Sequence, residues 1–175
     1  KRFKDEILDI KYNGISIDML LNMTVDDAIS LFRKYNQNRI VNKLIPLQSV
    51  GLGYVSLGQS SNTLSGGEAQ RIKLASFIAK GEQIEKTFFI FDEPTTGLHF
   101  HDIKKLLSTF EKLKRMGHSL LVIEHNLEMI KCADYIIDLG PEGGNEGGEV
   151  IAKGTPEEII KSKKSYTGRF LKSKI

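Results

Sequence analysis

The sequence predicts an α/β fold, a mainly parallel sheet flanked by helices with a small helical amino-terminal region, and three observations carry that expectation. From Ser65 onward, helix-length segments alternate with short apolar runs rich in strand formers, the order of strand–helix–strand units. Two of those runs, Phe88-Phe89-Ile90-Phe91 and Leu120-Leu121-Val122-Ile123, are continuously apolar, which suits strands buried on both faces. Between them, Ile103, Leu106, Leu107, Phe110 and Leu113 recur at three- and four-residue spacing, so one face of a helix is apolar and covers the sheet.

Taken in order, residues 1–62 read as a short lead followed by small helices, and residues 63–175 as the α/β core. Thr24 and Asp27 form a capping-box-like start ahead of the apolar positions Ala28, Ile29 and Phe32. A second apolar helix covers Ile40 to Val50, with an interruption expected near Pro46 because proline removes a helical N–H. Gly51, Gly53 and Gly58 mark a loop. A helix from Ser65 to Ala79 is followed by a strand at Thr87 to Phe91, a helix at His101 to Met116 and a strand at Ser119 to Ile123. A third apolar run, Tyr135 to Leu139, ends in Gly140-Pro141 and the glycine-rich stretch from Gly143 to Gly148. A closing strand at Glu149 to Ala152 and a helix after Thr155-Pro156, with Glu157 and Glu158 in its first turn, complete the pattern.

Composition narrows the class. A chain of 175 residues that is 40% hydrophobic and 27% charged can bury one core in water. Its apolar runs are far shorter than the roughly 20 residues needed to cross a bilayer, so no membrane association is expected. The start, Lys1-Arg2-Phe3-Lys4-Asp5-Glu6, has neither an initiator methionine nor a secretory pattern, and the chain is expected to begin inside a longer protein. Cys132 is the single cysteine; with no partner for a disulfide or a metal cluster, it is expected to pack in the core of a cytoplasmic protein. A net charge of +3 does not by itself imply nucleic acid, and the basic tail from Lys161 to Lys174 reads as a solvated helix.

Three constellations carry chemistry. In Leu64-Ser65-Gly66-Gly67-Glu68, Ser65 caps a helix, Glu68 answers it three residues later, and two glycines leave backbone N–H groups open to an anion such as phosphate. Alone, the same residues are also a plain capped helix. In Phe88 to Pro94, a strand delivers Asp92 and Glu93 at its carboxyl end, the edge where open α/β sheets bind ligands. Asp92 is placed to hold Mg²⁺ through water and Glu93 to orient an attacking water, although an acidic turn after a core strand has the same appearance. In Leu121-Val122-Ile123-Glu124-His125, a second strand ends in an imidazole, and a right-handed crossover would bring His125 to the same edge as Glu93. A histidine in that position is also a common structural residue. His99 and His101 lack the further ligands a metal site needs.

Together, in this order, the three resemble the ABC ATPase family. That resemblance implies that Ser65, Gly66, Gly67 and Glu68 contact nucleotide, Asp92 and Glu93 serve Mg²⁺ and water, and His125 senses the terminal phosphate of ATP. Within the family the wording is similar to UvrA sequences, which act in damage recognition in bacterial nucleotide excision repair. The similarity runs through Leu21 to Val25, Val50 to Tyr54, Leu57 to Gln59, LSGGEAQRIKL at Leu64 to Leu74, DEPTTGLH at Asp92 to His99, Val122 to Asn126 and IIDLGPEGG at Ile136 to Gly144. Where generic ABC proteins carry an aspartate, this chain has His99, as UvrA sequences do.

No Gly-x-x-x-x-Gly-Lys-Ser/Thr segment occurs, so the phosphate-gripping loop is missing and the chain is not expected to hydrolyse ATP alone. The resemblance implies the carboxy-terminal part of a second ABC half, with the zinc module of such proteins lying upstream. It also implies partners: the other ABC half, a homodimer of the full protein, UvrB, and damaged double-stranded DNA. Head-to-tail pairing of halves would place Ser65 to Glu68 at one ATP site and Asp92, Glu93 and His125 at another. Three alternatives stay open at this point: a UvrA-like ATPase in drug efflux or resistance, half of an SMC-type ATPase, which would need a heptad-patterned coiled coil that residues 1–62 lack, and a stand-alone half-domain with a structural or regulatory role.

Overall fold

The computed structural model describes residues 3–80, 85–142 and 147–175, so Lys1, Arg2, Gly143 and Gly144 lie outside the described residues. The chain divides into two compact units, Lys1–Leu121 and Val122–Ile175.

The first unit opens with helix α1 (Asp5–Leu8) and a hairpin of β1 (Lys11–Tyr12) and β2 (Ile15–Ser16), paired antiparallel. Its turn residues Asn13 and Gly14 have φ of 50° and 83°, the left-handed pair that a two-residue hairpin requires. Ser16 and Thr24 then accept hydrogen bonds from Met19 N–H and Asp27 N–H, starting α2 (Ile17–Asn22) and α3 (Val25–Lys34). Helix α4 (Asn38–Ser49) packs on α3, and Val25, Ala28, Ile29, Phe32 and Val41 form the core between them. The expected interruption at Pro46 does not occur. Pro46 forgoes the single bond that an N–H there would give to Asn42 O, but α4 continues through it to Ser49 and its ring is buried.

Helix α5 (Gly66–Ile78) follows, then β3 (Phe88–Asp92), α6 (Phe100–Arg115) and β4 (Ser119–Ile123), within one or two residues of the boundaries expected from sequence. Ser119 N–H donates to Thr87 O, so β3 and β4 start together as a parallel pair joined through α6. Phe89 meets Phe77 of α5 edge-on at 4.6 Å, and Phe91 meets Phe110 of α6 at 4.8 Å. Thr109 donates to Ser49 O at 2.8 Å and ties α6 to the end of α4.

The expectation that these strands are buried on both faces is corrected. Phe88 and Ile90 are each 62% exposed, and Leu121 is 44% exposed. In a strand, alternate residues face opposite ways; α5 and α6 cover the Phe89 and Phe91 side, and no described residue of the first unit buries the other.

In the second unit, α7 (Leu127–Ile130) is capped by Asn126, whose side chain accepts from Glu128 N–H. The third apolar run forms β5 (Ile136–Gly140), which pairs antiparallel with β6 (Glu149–Gly154). Helices α8 (Pro156–Ile159) and α9 (Tyr166–Leu171) close the unit. Asp138 accepts from the hydroxyls of Ser165 and Thr167, fixing α9 to β5, while Met129, Ile159 and Leu171 are buried. Cys132 was expected in the core and is exposed instead, its thiol donating to Glu128 O one turn earlier. It follows α7 at the surface end of a short helix, where its small apolar side chain buries nothing. Among the described residues, no helix is long and apolar enough to cross a membrane.

Candidate functional site

The tip of α5 is built by a reciprocal cap. Ser65 Oγ accepts from Glu68 N–H at 3.3 Å, and Ser65 N–H donates to Glu68 Oε2 at 2.8 Å, which satisfies two of the donors that a helix start leaves open. A third group joins from the glycine loop. Asp26 N–H donates to Gly53 O and Val25 N–H to Val55 O, so the loop is pinned on both sides of Tyr54. Tyr54 O–H then donates to Glu68 Oε1 at 2.6 Å. The hydrogen bonds from Tyr54 and then Ser65 hold the Glu68 carboxyl below its ordinary pKa, while partial burial and the bond to Glu68 raise that of Tyr54.

The two glycines at this tip differ. A Cβ on Gly66 would meet nothing within 4 Å, and the residue is exposed. Gly67 is buried, and a Cβ there would come within 3.2 Å of Arg71 Nη1 and 3.5 Å of Thr96 O. The open approach expected of both glycines therefore holds for Gly66 and not for Gly67, whose missing side chain lets α5 lie against its own chain.

What Gly67 lies against is the loop that follows β3. Asp92 and Glu93 are both exposed at the strand end, as expected. Glu93 has φ of 47°, a left-handed conformation that costs a non-glycine residue about 1 kcal/mol or more. Its carbonyl accepts from Thr96 N–H at 3.1 Å, and its Oε2 accepts from Thr96 Oγ1 at 3.4 Å. Pro94 and Thr95 turn inward and are buried.

Two side chains of α5 hold this loop from beneath. The Gln70 amide pairs with the backbone of Asp92 in both directions: Nε2 donates to Asp92 O at 3.1 Å, and Oε1 accepts from Asp92 N–H at 3.2 Å. Arg71, which is 0% exposed, donates through Nη1 to Pro94 O at 2.6 Å and to Thr96 O at 3.4 Å, and through Nη2 to Tyr54 Oη at 3.5 Å. A buried guanidinium is tolerated only where such acceptors replace its water.

Gln70, Arg71 and Tyr54 were not singled out from sequence. Gly67, Arg71, Leu74 and Ala75 are the buried residues of α5, spaced along one face. An arginine within an apolar helical stripe is the signal that was available.

His125 belongs to the second unit, two residues beyond β4, and is exposed. Glu124 Oε2 accepts from both His125 N–H and Asn126 N–H at 3.1 Å, a local clamp that turns the chain from strand into α7. His99 stands at the start of α6 without a side-chain cap, and among the described residues no group of three or more His, Cys, Asp or Glu side chains is gathered for a metal ion.

Comparison with known proteins decides the family. The chain is 58% identical over 172 residues to UvrABC system protein A of Clostridium acetobutylicum, covering 98% of this chain and 18% of that protein. The chain is a segment of the UvrA family. It is also 55% identical over 172 residues to UvrABC system protein A of Rhizobium meliloti, again with 98% of the chain and 17% of the relative covered. The segment therefore spans under a fifth of the length of these relatives. The crystal structure of UvrA2 from Deinococcus radiodurans superposes with a TM-score of 0.79 at 37% identity, over 98% of this chain and 21% of that one. A bacterial Atm1-family ABC exporter with ATP bound gives a TM-score of 0.51 at 21% identity, over 89% of this chain and 26% of the exporter, a likeness of fold. No protein-family model matches the chain.

Proposed function

We propose that this UvrA segment supplies half-site residues for ATP binding and hydrolysis within a longer DNA-repair ATPase. The observation that carries the reading is the pair of exposed carboxylates, Asp92 and Glu93, held at the end of β3 beside the capped tip of α5, in a chain more than half identical to UvrABC system protein A. Paired oxygen donors at a strand end fit Mg²⁺, which when bound neutralises phosphate charge. Asp92 holds that ion, directly or through water. Glu93 orients the attacking water and accepts its proton. Ser65, Gly66, Gly67 and Glu68 meet nucleotide from the opposing ABC half, with Gly66 the open position and Gly67 the packing position. His125 senses the terminal phosphate.

The wider assignments belong to the same proposal. The full polypeptide acts in the cytoplasm on damaged double-stranded DNA, pairs its two ABC halves, forms a homodimer and works with UvrB; its zinc lies outside this segment.

The test is Glu93→Gln in the full-length polypeptide. Hydrolysis is expected to fall by about 100-fold or more while nucleotide affinity stays within about threefold, the pattern of a group that acts only in the transition state. Unchanged turnover in E93Q would remove Glu93 from the mechanism and the proposal with it.

A further inference from the structure

Glu93 is the residue with most to do in the proposed reaction, and its backbone is in the conformation least natural to it. A left-handed φ of 47° at a glutamate persists only where its neighbours over-determine it. The neighbours on both sides are gripped, and by adjacent residues of one helix. Gln70 closes a two-bond ring on the peptide groups of Asp92, immediately before Glu93, and Arg71 holds the carbonyls of Pro94 and Thr96 immediately after it. Gly67, one turn earlier on α5, brings the helix close enough for both contacts, with its Cβ position 3.6 Å from Glu93 O.

We infer that Gln70 and Arg71 are positioning residues that hold Glu93 in its left-handed conformation and so fix where its carboxylate points. The inference rests on reading Glu93 as the water-orienting group. The Gln70 amide is matched to this task because one side chain supplies both a donor and an acceptor, as another strand would. Arg71 supplies a planar fork whose Nη1 donates to both loop carbonyls while Nη2 reaches Tyr54 Oη, a fixed geometry that the single ammonium of a lysine does not reproduce. Because both residues belong to the helix whose tip carries Ser65 and Gly66, a contact made at that tip is mechanically continuous with the loop that carries Glu93.

The experiment uses the full-length polypeptide with Gln70→Leu, Gln70→Glu and Arg71→Lys, and measures kcat and KM for ATP, nucleotide Kd and the thermal unfolding midpoint of each. Displacing a reacting group by a fraction of an ångström to one ångström costs about 10- to 100-fold in rate. Q70L is therefore expected to lose about 10-fold or more in kcat with KM and Kd within about twofold, and R71K to show the same split. Q70E separates positioning from mere packing. As a carboxylate it keeps the acceptor for Asp92 N–H but turns a second oxygen toward Asp92 O; once protonated it regains the donor. Its kcat, relative to the unsubstituted protein at each pH, is expected to be lowest near neutral pH and to rise as pH falls toward about 4.3, the ordinary glutamate value. A folded Q70L with unchanged kcat, a loss carried in KM and Kd, or a flat Q70E ratio would overturn the inference. If Q70L does not fold, Q70E and R71K decide the question. Failure here together with a slow E93Q leaves the proposed function standing, whereas an E93Q of normal turnover defeats the function first.

Discussion

Tyr54 O–H donates to one oxygen of Glu68 at 2.6 Å while the other oxygen accepts from Ser65 N–H at 2.8 Å, so the loop before α5 is fastened to the cap that starts the helix. Both bonds favour the carboxylate and hold its pKa in the folded chain below the ordinary value of 4.5. A carboxyl depressed on folding contributes stability that is present above the unfolded-state pKa and lost as pH falls through the folded one. Tyr54→Phe is expected to cost about 1 kcal/mol at neutral pH, the low end for a charge-assisted bond because Glu68 is partly in water. The difference between Y54F and the unsubstituted chain should shrink as pH drops below about 4.5, the ordinary carboxylate value. Urea unfolding at neutral and acid pH checks this, and a pH-independent difference would contradict it.

Gly66 and Gly67 are neighbours with opposite surroundings, and alanine tests each. Gly66→Ala meets empty space and improves helix propensity, so it is expected to leave stability unchanged or raise it by about 0.5 kcal/mol. Gly67→Ala presses a methyl onto Arg71 Nη1, whose guanidinium is fixed by Pro94 O and Thr96 O and has nowhere to move. A loss of about 1–2 kcal/mol is expected. Thermal unfolding of the two variants side by side is the measurement. Equal effects would mean that the tip is looser than these contacts require.

His118 is buried between two phenylalanine rings, edge-on to Phe77 at 5.3 Å and to Phe89 at 5.6 Å, and its Nδ1 accepts from Thr87 N–H at 3.1 Å. That bond places the ring proton on Nε2. The residue does two separable things: it fills the space above α5, and it satisfies the backbone donor where β3 begins. His118→Phe keeps the first and loses the second, for an expected cost of about 1–2 kcal/mol. His118→Ala loses both, for about 3 kcal/mol or more. Chemical denaturation of the pair separates the contributions, and an H118F as unstable as H118A would assign the whole effect to the hydrogen bond.

The helices were legible because their signals are local. Ser65 with Glu68, Thr24 with Asp27 and Thr155 with Glu158 are caps that work within one turn, and the α6 stripe from Ile103 to Leu113 repeats at helical spacing. Asn13-Gly14, a strong hairpin dipeptide, was also local but sits between strands only two residues long, too short to show alternation. Pro46 misled because the loss of one helical bond does not end a helix in which the proline ring is itself buried. The contacts of Gln70 and Arg71 span 22 to 25 residues of sequence and depend on how α5 lies over β3, which no local pattern encodes. Cys132 failed for the converse reason: composition describes the average cysteine, and exposure is decided by where a short helix ends.

The bare face of the β3–β4 pair gives the last prediction. Phe88, Ile90 and Leu121 are strand residues with apolar side chains in water, in runs whose uninterrupted hydrophobicity suits burial on both sides. The segment spans 18% of a relative such as UvrABC system protein A of Clostridium acetobutylicum, so a longer polypeptide has ample chain to cover them. In the segment alone, the double substitution Phe88→Thr and Ile90→Thr is expected to reduce self-association and hydrophobic-dye binding with little loss of stability, since threonine keeps strand preference and exposes less apolar area. In the full-length polypeptide the same pair should destabilise, by about 1.5–3 kcal/mol for each side chain whose burial is lost. The sign of the effect therefore reverses between the two proteins, and light scattering with thermal unfolding of both reads it directly. A double variant that is equally benign in the full-length polypeptide would mean that this face stays in water there too, and that the apolar runs at Phe88 and Leu120 serve some purpose other than a two-sided core.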